Sequence, residues 1–115
     1  MNVSEISWHA VLTVRPGRLD DFRALNAEMV EAAQGERGVL YYERFASDDD
    51  QTIHIYERYT DSAAATAHLR SFAKTFGERF GTMVDRTQFT VFGNPSGELR
   101  ALPVGYGASI FPALE

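Results

Sequence analysis

A chain of 115 residues, 44% hydrophobic and 23% charged, suffices for one compact domain around a single core. Its net charge of −5, with eleven scattered Lys and Arg residues, argues against nucleic-acid binding, which depends on clustered cations that neutralise phosphate. The absence of cysteine excludes disulfides, thiolate metal centres, iron–sulfur clusters and a cysteine nucleophile.

Residues 1–9 (MNVSEISWH) lack both a basic start and a long apolar run, so neither a secretory signal nor a membrane span is expected. A soluble cytoplasmic protein is the expectation. From 6 to 14 the chain alternates, with Trp8, Ala10, Leu12 and Val14 on one side and His9, Val11 and Thr13 on the other, which predicts a first strand. Pro16 and Gly17 stop it. Phe22, Leu25, Met29 and Ala32 then draw an apolar stripe down a helix that opens with Asp20 and Asp21, favourable beside the dipole, and ends at Gly35 and Gly38.

A second strand is predicted over 39–45, a polar turn over 46–51 and a third strand over 52–59, which together make an antiparallel hairpin. The period then changes from two to about 3.6. Ala65, Leu69, Phe72 and Phe76 form the stripe of a second helix, with Gly77 bending or interrupting it and Gly81 near its end. Alternation returns over 86–93, with Phe89, Val91 and Phe92, as a fourth strand.

The order βαββαβ with short connections predicts an α+β, ferredoxin-like fold, a four-stranded antiparallel sheet with two helices on one face. The other face then carries His9, Val11, Thr13, Tyr41, His54 and Tyr56, too aromatic a patch to leave in water. A second copy packed sheet to sheet covers it most simply, so a homodimer is expected. All 115 residues are taken as one domain, with a core over about 5–93. Residues 94–115 are a turn, a short helical stretch over 98–102 and an apolar run broken by Gly and Pro. They are expected to pack as an arm on their own domain or on the partner subunit, or to close over a pocket as a lid flexing at Gly105 and Gly107.

Among the side chains that carry chemistry, His68 borders the apolar stripe of the second helix and points to the seam with the sheet. It can serve as a neutral base, or it can tie the helix to Glu57 or to a backbone carbonyl. Glu57 falls on the core-facing side of the third strand with Ile53, Ile55 and Tyr59, where a carboxylate needs a partner such as an arginine. Trp8 and Tyr42 can line the same space or be plain core. His9 and His54 lie on neighbouring strands, and a shared face would gather them with Tyr56. No carboxylate is placed to complete a metal shell there, and no metal is expected. Walker, Gly-x-Ser-x-Gly and dinucleotide motifs are absent.

The segments VRPGRLDDF at 14–22, GVLYYE at 38–43 and above all IYERYTDSAAATAH at 55–68 resemble the antibiotic biosynthesis monooxygenase domain of the dimeric α/β-barrel superfamily, over roughly residues 5–93. The 94–114 extension is similar to tails on some uncharacterised members. The family includes cofactor-independent quinol and anthrone oxygenases, heme-degrading enzymes, an isomerase and proteins of unknown role, so membership alone does not set the reaction. The resemblance to the heme-degrading members breaks at Ala10, at His68 and around Glu78, where those carry Asn, Trp and the iron-ligating His. Many quinol-oxygenase-like members carry a second histidine where Ala73 stands.

The resemblance implies a monooxygenase acting on a quinol- or anthrone-type aromatic molecule without a cofactor. His68, Glu57 and Tyr42 would be catalytic and Trp8, Phe72 and Met29 substrate-binding. The alternative is a non-catalytic dimer that binds a small molecule or serves in stress, with the same residues acting as packing.

Overall fold

The computed structural model describes residues 4–102 and 108–114. The elements are β1 (Ile6–Val14), α1 (Leu19–Gln34), β2 (Val39–Ala46), β3 (Thr52–Tyr59), α2 (Ser62–Thr75), α3 (Gly77–Met83), β4 (Val84–Phe92), α4 (Gly97–Arg100) and β5 (Ser109–Phe111). They build an α+β, ferredoxin-like arrangement with strand order β2-β3-β1-β4-β5.

Strand β1 is central and antiparallel to both β3 and β4. Its alternation is carried through without a break: Ile6, Trp8, Ala10, Leu12 and Val14 are all buried, and the residues between them face the other side. Helix α1 buries Phe22, Leu25, Met29 and Ala33 against that face. The expected stripe ended at Ala32, which is exposed. About eleven residues make close to three whole turns at about 3.6 residues each, so Ala33 returns above Phe22 while Ala32 has rotated away.

Asp61 caps α2, its side chain accepting a hydrogen bond from the Ala64 amide. The second helical region is interrupted where expected: α2 ends at Thr75, Phe76 leaves helical geometry, and α3 restarts at Gly77. The chain from Gly38 runs against the start of α2 so closely that a Cβ there would overlap the Ala64 methyl.

The sheet differs from the expected four antiparallel strands. A fifth strand, β5, lies parallel to β4 at the edge, pairing Thr90 with Ser109 and Phe92 with Phe111, which makes the sheet mixed. So short a strand cannot show a period, and β5 forms because the edge of β4 offers free backbone groups. The arm thus packs on its own domain. The proposed hinges Gly105 and Gly107 lie outside the described residues.

Among the described residues, none covers the sheet opposite the helices. Tyr41, Phe45, Phe92 and Phe111 are exposed on that face, with Tyr41 packed edge-on to Tyr56 and Phe92 against Phe111. His9 and His54 do share this face. Their rings stack, with His9 Nε2 2.8 Å from His54 Nδ1. No cluster of three metal-ligating side chains occurs among the described residues.

Candidate active site

Strand register places Trp8, Glu57 and Tyr42 side by side on three adjacent strands, β1, β3 and β2, all on the helix side. Glu57 is 5% exposed. Such a carboxylate survives burial only if its oxygens are occupied, and they are. Oε1 accepts from Trp8 Nε1 at 2.9 Å and from the Tyr59 hydroxyl at 2.6 Å, while Oε2 pairs with Arg44 Nη2 at 2.9 Å. Arg44 lies two residues beyond Tyr42 on the same face of β2; its guanidinium stacks 3.6 Å from the Tyr42 ring centre and its Nε donates to Asn26 Oδ1. The arginine partner expected for Glu57 is therefore Arg44.

His68 points inward from α2 and is buried. Its Nδ1 is 2.9 Å from Glu36 Oε1, and its Nε2 is 3.6 Å from Glu57 Oε1, beyond hydrogen-bond range. In its bond to the Glu36 carboxylate Nδ1 is the donor, and Nε2 faces the interior on the Glu57 side. The Tyr59 and Tyr42 rings flank the imidazole at 5.1 and 5.5 Å. Burial, and then the charge of Glu57, push both phenols well above the usual tyrosine range. They stay protonated at neutral pH, and Tyr59 holds its donor role.

These groups border a cavity of about 110 Å³ between helices and sheet, whose walls are mainly apolar. His68, Glu57, Tyr42, Trp8 and Phe72 line it. Met29 does not: it is 2% exposed, packed into the core under α1, because the stripe that places it also turns it away from the hollow. Four contributors were missed in the sequence. Arg44 follows Tyr42 at the strand period and Tyr59 follows Glu57 likewise, so both were legible. Glu36 sits in the turn after α1 and Asn26 on the polar flank of α1, where no periodicity points to a site.

Comparison with known proteins agrees with this architecture. The family profile described as antibiotic biosynthesis monooxygenase matches residues 6–86. No curated protein matches. Among solved structures, MupZ from Pseudomonas fluorescens superposes with a TM-score of 0.83 at 24% identity, covering 100% of this chain and 88% of that one. Rv0793 from Mycobacterium tuberculosis gives 0.65 at 25% identity over 81% of this chain and 97% of that one. SnoaB from Streptomyces nogalater, described as a cofactor-independent oxygenase, gives 0.67 at 16% identity over 87% and 98%.

Proposed function

The chain belongs to the antibiotic biosynthesis monooxygenase family, and on that footing we propose that it oxygenates a small quinol- or anthrone-type aromatic compound without a cofactor. The observation that carries this reading is the Glu36–His68 pair, in which a carboxylate holds Nδ1 of a buried imidazole that lines an apolar hollow. With an anthrone-type substrate, His68 Nε2 removes a proton from the activated methylene carbon. The resulting carbanion, itself electron-rich, supplies electrons to dioxygen. One methylene and one dioxygen thereby give one carbonyl and one water: both C–H bonds break, a C=O double bond forms, and the second oxygen atom leaves as water with both hydrogens. The dry walls keep water from the carbanion.

Within this scheme Glu57 is a positioning residue rather than an acid or base, since its oxygens are already engaged. Tyr42 flanks the imidazole and roofs Arg44, and Trp8 and Phe72 are the flat walls. A hollow of about 110 Å³ is well below the ~300–1,000 Å³ of drug-sized pockets, which favours one or two fused rings over four. The aromatic sheet face opposite is read as the contact between two copies. No helix among the described residues is long and apolar enough to cross a membrane, and the protein is assigned to the cytoplasm.

Oxygen uptake with a panel of one- and two-ring hydroquinones and aryl ketones tests the proposal. Wild-type turnover is expected to fall about 10²- to 10⁴-fold in His68→Ala, the usual contribution of a general base, with the circular dichroism unchanged. Absence of uptake with every substrate, or full activity in the variant, overturns it and leaves a binding protein.

A further inference from the structure

The cavity beside His68 has a second, smaller hollow as its neighbour, of about 30 Å³. Trp8, Leu69 and Phe89 line both, so these three side chains stand between the two spaces. The far walls of the smaller hollow are Val91, Pro95, Leu99, Arg100, Ala108 and Ile110, all from chain beyond the 6–86 stretch that the family profile matches. They are apolar but for Arg100, whose Nε donates to the Pro95 carbonyl.

The three shared side chains are not equally fixed. Trp8 Nε1 donates to Glu57 Oε1, and the indole packs 4.7 Å from the Tyr59 ring and 5.7 Å from the Phe89 ring, centre to centre. Phe89 is buried, with that indole on its ring and the Arg86 guanidinium 4.9 Å from its ring centre. Leu69 has neither a polar atom nor a ring to tie it, is only partly buried, and directly follows His68 on α2. It is also a wall with space behind it, whereas Ala10, Leu12 and Ile55 are buried positions of the packed sheet.

We propose that Leu69 sets the size of ring system the cavity accepts, excluding a third fused ring by closing off the hollow under the carboxy-terminal arm. The inference rests on the oxygenase reading only for the aromatic character of the ligand. A third fused ring adds four carbons. A hollow of about 30 Å³ holds roughly two water-sized probes at ~10–15 Å³ each, too little for that ring while Leu69 stands in the way. Cutting the side chain back to Cβ removes three carbons and joins the two spaces. The selection is steric and runs against hydrophobicity, because the larger ligand has more apolar surface to bury. The arm thereby takes part in ligand choice, as the outer wall of the space that Leu69 withholds.

Equilibrium binding under argon, rather than turnover, separates this inference from the oxygenase reading. The probes are 2-naphthol and 2-anthrol, which differ by one fused ring, titrated by calorimetry. Wild-type protein is expected to bind 2-naphthol at least about 10-fold tighter, the ordinary discrimination of a pocket that is too short. In Leu69→Ala the 2-anthrol to 2-naphthol affinity ratio is expected to rise at least about 10-fold. Leu69→Met conserves volume and keeps the core filled, so it stands even if the alanine variant fails to fold; its flexible side chain is expected to raise the ratio about 3-fold or more. Adding Ala108→Leu to either variant fills the outer hollow from the arm and is expected to return the ratio to the wild-type value. Tighter wild-type binding of 2-anthrol, an unchanged ratio in the Leu69 variants, a gain that survives Ala108→Leu, or no binding of either probe overturns the inference. Size selection of this kind without oxygen uptake would sink the oxygenase reading alone.

Discussion

Glu57 keeps its charge inside the sheet because three donors from three different positions converge on it, and one of them, the Tyr59 hydroxyl, makes the cluster sensitive to alkali. Unfolded tyrosine ionises near about pH 10, whereas burial and the adjacent carboxylate hold Tyr59 above that. Below about pH 10 both states keep the proton and the stabilisation is whole. Above it only the unfolded chain releases the proton, so stability falls by about 1.4 kcal/mol per pH unit from this group. Urea denaturation from about pH 8 to 11 is expected to show the gap between wild type and Tyr59→Phe closing above about pH 10; parallel curves would count against it. Residue periodicity alone disclosed the inward positions of His68 and Glu57, because each belongs to a regular element with an apolar side. It could not disclose Glu36, whose position in a turn is fixed by tertiary packing.

At the level of elements, the order of strands and helices was legible because each long segment has a clean period and a stop signal, from Pro16-Gly17 to the cap at Asp61. The β5 strand was not, since three residues beside Pro112 carry no pattern and acquire their conformation only from the edge of β4. The junction between the β2 entry and α2 is set by contact rather than pattern. A methyl added at Gly38 would meet Ala64, so Gly38→Ala is expected to cost about 1–3 kcal/mol by overpacking. Adding Ala64→Gly is expected to recover part of it, less about 1 kcal/mol of helix propensity. Denaturant midpoints of the two variants decide the matter, and identical loss in both would place the strain elsewhere.

For the molecule as a whole, the helices cover one side of the sheet and no described residue covers the other, with Phe45 and Phe111 each 55% exposed. If a second copy covers this face, analytical ultracentrifugation is expected to show a wild-type dimer. Phe45→Glu/Phe111→Glu is expected to weaken it at least ~30-fold, as loss of buried aromatic anchors does. A wild-type monomer at micromolar concentration would rule the contact out. Such a face was foreseeable from alternation, whereas the presence of Phe111 on it depended on β5.

That short terminal strand separates two compartments by the thickness of one backbone. Ile110 looks toward Trp8 and Leu99, beside the hollow, while its neighbour Phe111 leans on Phe92 across the sheet. Peeling these residues from β4 would uncover Trp8 and Leu99 and strip an aromatic ring from the outer surface in a single movement. If a second copy covers the outer face, the same short run of peptide units borders that contact on one side and the core around Trp8 on the other.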